Sequence, residues 1–279
     1  MCDWPWVLSD SFSLRSCCTE DLEIPASMKS YKRQVSPKEQ LSQLRAAHTL
    51  LQAGIHHVVW AEYAMAIAHC VPIGWGHFDL QLLIPPYNIT QAAHLICLKH
   101  PYKPTDVREA EYWPGLPKNF EPLTTVLLRH RDYPNCYNIN QPPNIYLHTA
   151  SAFHFDIHNP TDTTTDPSPP DESFSGLLYP SLIAFCNSII DSIHEPPLPF
   201  CDQHFYWHWM RLLSDLCRYT AGEKGWTSRK GKLVGSCEWL LQEIKEENRP
   251  FLSRMLLELR LLPLQTSALE RILIKDARW

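Results

Sequence analysis

The sequence predicts an α/β core followed by an all-helical C-terminal part. Between residues 37 and 158, helical stripes alternate with short apolar runs of strand length. From 177 to 279 only helical periodicity remains, and the polar, proline-bearing stretch 159–176 (NPTDTTTDPSPPDESFSG) reads as a linker between the two. Residues 1–36 hold no lasting period and read as an N-terminal arm.

Each element has a local cause. A helix is expected over 37–53, with Ser36 as N-cap, Pro37 at the first helical position and Glu39 three after the cap. Leu41, Leu44, Ala47, Leu50 and Leu51 form its apolar stripe, and Gly54 ends it. A strand over 55–60 (IHHVVW) leads into a helix over 61–69. A second strand, 78–84 (FDLQLLI), stops at Pro85-Pro86, and Asn88 caps a helix over 89–98. The segment 101–143 is proline-rich around one short apolar piece, 124–128, that fits either state. Strands are expected over 144–148 (NIYLH) and 153–157 (FHFDI), and helices over 178–193, 204–219, 236–248, 249–262 and 267–278.

Composition narrows the function classes. With 279 residues and 44% hydrophobic residues, the chain can bury one large core or two modest ones. A net charge of -5 argues against non-specific binding to nucleic acid or to an anionic membrane. No leader-like segment and no apolar run of membrane-spanning length occurs, so a cytoplasmic protein is expected. Ten scattered cysteines without a CxxC pair read as reduced thiols, not a disulfide framework.

The segment 51–98 carries a resemblance. Helix, glycine, buried strand ending in Trp60, small-residue helix, Val71-Pro72, then FDLQLLI and a proline stop form an order similar to that of the fungal nucleotidyltransferase-like proteins, distant relatives of the minimal nucleotidyltransferases. The helical stretch LLYPSLIAFCNSIIDSIHEPP is similar to their second part. The resemblance implies a small mixed sheet in 37–158 and a helical region in 177–279. In that superfamily a glycine-rich turn after the first strand precedes a short helix. An Asp-x-Asp pair on the next strand holds two divalent metals, and a third carboxylate comes from a later strand.

Set against that pattern, Asp79 takes the first carboxylate position and Gln81, a neutral amide, the second. The turn reads Ala61-Glu62. Residues at i and i+2 of a strand share one face, which is why two carboxylates at that spacing can clamp Mg²⁺. One missing charge removes much of the attraction. Glu62 is the candidate replacement and Asp156 the candidate third carboxylate, with Mg²⁺ as the cofactor if the site is active. A structural role for Asp79, bonded to the loop 74–77, and a half-exposed place for Gln81 are the alternative.

Two further constellations qualify as sites. His154, Asp156 and His158 would share one strand face and, with Asp79, supply metal ligands. The loop 222–232 (GEKGWTSRKGK) offers Lys224, Arg229 and Lys230 around Trp226 for phosphate binding and base stacking, against the reading of a solvated helix connection. Three functions follow in order. The first is a degenerate nucleotidyltransferase-fold protein that binds a small molecule, nucleotide or protein partner without transfer. The second is a metal-dependent transferase using Glu62, Asp79 and Asp156. The third is a protein-interaction module built on the proline-rich connectors and Trp4 and Trp6.

Overall fold

The computed structural model describes residues 41–69, 71, 79–106, 125–133, 135, 141–165, 176–196, 203–220 and 235–259. All of them belong to the compact unit that spans 34–279. The expected N-terminal arm, the cap at Ser36, the basic loop with Lys224, Arg229 and Lys230, and the helix over 267–278 lie outside the described residues.

Five strands form one mixed sheet. They are β1 (Val58–Trp60), β2 (Leu80–Ile84), β3 (Tyr102–Thr105), β4 (Thr125–His130) and β5 (Asn144–Thr149), in the spatial order β1-β2-β5-β4-β3. Only the β2–β5 pairing is parallel. Strands β2 and β5 are buried along their whole length, as central strands covered on both faces must be. Two elements arise where the sequence shows no clear period. Strand β3 forms within the proline-rich segment, at the sheet edge where Pro104 is tolerated. The ambiguous piece at 124–128 becomes β4.

The helices are α1 (Arg45–Gln52), α2 (Ala61–Ala68), α3 (Ile89–Lys99), α4 (Leu182–His194), α5 (Gln203–Thr220), α6 (Gly235–Glu243) and α7 (Arg249–Leu259). Helix α1 ends where Gly54 takes φ +69, a left-handed conformation that lets Gly54 and Ile55 donate back to Leu51 and Leu50. Helix α4 starts four residues later than its apolar period suggests. Tyr179–Pro180 is instead a strand, β7, paired with β6 (Thr163–Thr164), and Leu178 bridges to Val58. Ser181 then caps α4 by accepting from the Ala184 N–H. Within the expected linker, Asn159 turns the chain and β6 pairs with β7.

Register explains the two faces of the sheet. One face carries Val59, Leu80, Leu82, Ile84, Ile145, Leu147, Val126 and Leu128; α3, with Ala92 and Ile96 buried, packs on β4 and β5, and α1, with Ala47 and Leu50 buried, packs on α3. The other carries Trp60, Gln81, Leu83, Tyr146, His148, Thr125, Leu127 and Arg129. On it Trp60, fully buried, meets Phe153, Phe155, Phe185 and Trp209 at centroid distances of 6.5, 5.2, 4.6 and 6.3 Å. Phe185 and Trp209 belong to α4 and α5, so the helices after 177 share one core with the sheet. Among the described residues no helix is long and apolar enough to cross a membrane. Cys97, Cys186, Cys217 and Cys237 are free thiols.

Candidate functional site

The second sheet face has a polar lattice in place of an aliphatic one. Period-2 alternation along DLQLLI sends Asp79 and Gln81 to this face, while Leu80 and Leu82 enter the helix-covered core. The same alternation in NIYLHT and TVLLRH brings Asn144, His148, Thr125 and Arg129 beside them. Glu62 reaches the same place from the first turn of α2. Glu62, Asp79, Gln81, Asn144, Thr125 and His148 are all buried. Buried polar groups are tolerated only when hydrogen-bonded, and these are.

A directional chain links them. The Gln81 side-chain N–H donates to Glu62 Oε2 at 3.2 Å. Gln81 Oε1 lies 3.2 Å from His148 Nε2, and His148 Nδ1 lies 2.8 Å from Thr125 Oγ1. Because Gln81 Oε1 can only accept, His148 carries its proton on Nε2, and its Nδ1 accepts from the Thr125 hydroxyl. This is a neutral imidazole, and burial holds the His148 pKa down at about 3. His208 of α5 stands 3.7 Å from the other Glu62 oxygen, too far for a hydrogen bond. Its pKa is lowered by desolvation against the pull of Glu62.

Asp79 belongs to a neighbouring row. Its Oδ1 accepts from the Asn144 backbone N–H at 3.2 Å and from the Asn144 side-chain N–H at 3.0 Å. Asn144 Oδ1 accepts in turn from Arg129 Nε at 3.2 Å. Burial, aided by the negative charge of Glu62, pushes the Asp79 pKa up to about 7 against the Asn144 hydrogen bonds and Arg129. At neutral pH the carboxyl is therefore shared between its protonated and charged forms.

The turn that delivers Glu62 is strained. Ala61 has φ 53, the left-handed region that glycine adopts freely and alanine adopts at about 1–2 kcal/mol. Between β1 and α2 an alanine thus holds a backbone shape that glycine adopts freely.

Several sequence expectations change here. Residues 153–157 are no strand. Ala150–Phe153 is a 3-10 turn, and His154 leaves it at φ 52, a left-handed cap that breaks any alternation. His154, Asp156 and His158 therefore do not share a face. His154 Nε2 bonds the Glu195 carbonyl, Asp156 accepts from the His158 N–H, and the His158 ring stacks on His56. His56 precedes β1, which runs antiparallel to β2, so this group sits at the edge where β2 ends. Asp79 sits where β2 begins, about 15 Å away along a five-residue strand. Asp156 does not converge with Asp79 and Glu62. The strand that does lie beside β2 is β5, and its positions on this face are Asn144, Tyr146 and His148, none of them a carboxylate. Among the described residues no three His, Cys, Asp or Glu side chains are grouped to hold a metal ion. Gln81 is buried at 5% exposure, not half-exposed. Its neutral amide leaves Asp79 without a second carboxylate two residues along the strand, which does not fit a pair of Mg²⁺ ions.

Sequence reading reached Asp79, Glu62 and Gln81 but missed Asn144, His148, Thr125 and Arg129 as their partners. The available signal was the period-2 placement of polar residues in three apolar strands. What it lacked was strand order.

Two predictions follow from the protonation states. Asp79→Asn keeps an oxygen for both Asn144 donors and removes a buried charge. An acid whose folded pKa is raised loses stability as pH climbs from its unfolded value toward the folded one. The variant should match the parent near pH 3 and exceed it by on the order of 3 kcal/mol above pH 7 in urea titrations. Equal stability at pH 8 would contradict the burial of this charge. The histidines act oppositely. Desolvation lowers His57 and His69 to about 4 and His148 to about 3, so the unfolded chain binds three protons there that the folded one does not. Asp79 offsets one of them. Around pH 5 these groups together should make stability rise with pH by about 3 kcal/mol per unit. A flat urea midpoint from pH 4.5 to 6 would refute it.

Comparison with models of known protein families, with curated proteins and with solved structures finds no match to this chain.

Proposed function

We propose that this chain is a cytoplasmic protein with a degenerate nucleotidyltransferase-like site, which binds a ligand on its polar sheet face without metal-dependent nucleotidyl transfer. One observation carries the reading: Gln81, at the position where a second metal carboxylate would stand, is tied on both sides, donating to Glu62 and accepting from His148. A side chain locked into a buried network is a built feature, and removing it would leave two buried groups unsatisfied. The strained Ala61 turn and the Asp79–Gln81 spacing support descent from a strand-turn-helix scaffold of the kind the resemblance implies. The missing carboxylate on β5 supports loss of the transfer chemistry. Free thiols in the core agree with a reducing compartment.

The test is calorimetric titration with the four nucleoside triphosphates, with and without Mg²⁺, alongside an assay for pyrophosphate release. Binding that is indifferent to Mg²⁺, with no release, is expected. Mg²⁺-dependent release abolished by Asp79→Asn would overturn the reading in favour of a transferase.

A further inference from the structure

Away from the polar sheet face, the helical layer buries a group of thiols. Cys186 of α4, Cys217 of α5 and Cys237 of α6 are all fully buried, and none is in a disulfide. The apolar periods of the helices bring two of them together. Cys186 stands four residues before Ile190, and Cys217 four after Leu213, so each thiol lies on the buried stripe of its helix. Helices α4 and α5 pack on one another, and the Cys217 thiol is hydrogen-bonded to Cys186.

A single buried cysteine is explained as a small hydrophobe. Two thiols in contact across a helix interface are also the reduced form of a cross-link. A disulfide brings its sulfurs to about 2 Å and needs side chains that point at each other, which this pair already does. The surroundings keep the pair reduced at rest. The bonded Cys186 thiol, burial and the nearby Cys237 push the Cys217 thiol well up, so little of its nucleophilic thiolate forms. Such a pair answers to sustained oxidant and ignores a brief exposure.

We propose that Cys186 and Cys217 form a reversible disulfide under peroxide, which pins α4 to α5. One cysteine thiolate attacks a peroxide oxygen. The O–O bond breaks, hydroxide leaves, and a sulfenic acid remains on the sulfur. The second thiol gives up its proton and attacks that sulfur. The S–S bond forms, the S–O bond breaks, and the departing hydroxide takes the proton as water. Two thiols thereby lose two electrons and two protons, and one hydrogen peroxide becomes two waters. A dithiol reductant reverses the link. Phe185, next to Cys186, and Trp209 of α5 both pack on Trp60, so the cross-link fastens together two helices that cover this part of the sheet. The proposal stands apart from the ligand-binding reading.

The test treats the full chain overnight with millimolar hydrogen peroxide, then alkylates the remaining thiols under denaturing conditions. Peptide mapping by mass spectrometry without reductant should find the peptides of Cys186 and Cys217 joined, and separate after dithiothreitol. The oxidised chain should melt about 5–10 °C higher than the reduced one, because the link restricts the unfolded chain. Cys186→Ala and Cys217→Ala should each abolish that rise, whereas Cys97→Ala should keep it. The map is read on the parent chain, so it decides the matter even where a variant is poorly produced. Recovery of both cysteines as alkylated thiols would overturn the proposal. So would pairing of either with another cysteine, or a cross-linked chain that melts no higher than the reduced one.

Discussion

Trp60→Ala is expected to cost about 4–5 kcal/mol and to leave little or no folded protein at 37 °C. The indole is fully buried and touches four aromatic rings from three separate parts of the chain. Two of those rings follow β5, one stands on α4 and one on α5. Truncation removes the transfer free energy of a large side chain and opens a cavity that four rigid rings cannot close. Against a total stability of roughly 5–15 kcal/mol for a domain, that is most of what is available. Trp60→Phe separates packing from chemistry. Among the described residues the Trp60 Nε1 finds no hydrogen-bond partner, so the smaller ring removes an unsatisfied donor while keeping most of the aromatic contact. It should cost about 1–2 kcal/mol. Urea midpoints of the two variants measure both, and a loss below about 1 kcal/mol for the alanine variant would mean that Trp60 is not the hub of this core.

Gln81→Leu should be nearly as damaging, at about 3–4 kcal/mol, for a different reason. Its volume is close to that of glutamine, so no large cavity forms. What is lost is the donor to Glu62 Oε2 and the acceptor for His148 Nε2–H, both inside the sheet-helix interface. A buried carboxylate and a buried imidazole N–H are then left short of partners. Gln81→Glu makes a sharper comparison. When protonated, the new carboxyl can donate to Glu62 and accept from His148, copying the amide. When ionised, it places a second negative charge against Glu62. Its folded pKa should therefore rise, so its deficit should be small at pH 5 and grow to about 3 kcal/mol by pH 8. Guanidinium titrations of the parent and both variants at the two pH values decide it. A Gln81→Glu deficit that does not grow with pH would show that the amide is not facing Glu62 as described.

These variants mark the boundary between what was legible in the sequence and what was not. Helix α1 with its glycine stop, the strand-turn-helix around Trp60 and Ala61, and strand β2 were readable because their causes are local: a stripe, a cap, an alternation, a proline. The failures are non-local. The FHFDI segment alternates as a strand would, yet Phe153 and Phe155 are both drawn onto Trp60. The chain turns through a left-handed His154 to place them there. Strand β3 has weak intrinsic preference and exists because β4 offers a ladder on its far side. The start of α4 is delayed because Tyr179 and Pro180 are claimed by β6.

The candidate site divides in the same way. The sequence by itself determined that Asp79 and Gln81 leave one face of a strand and that the second carries no charge, since a strand's side-chain period is fixed by the backbone. Only the tertiary structure decided which strand lies beside β2, and therefore that Asn144 and His148, not Asp156, are the neighbours of that pair. Strand order depends on contacts between segments far apart in the chain, and no local pattern of residues encodes them.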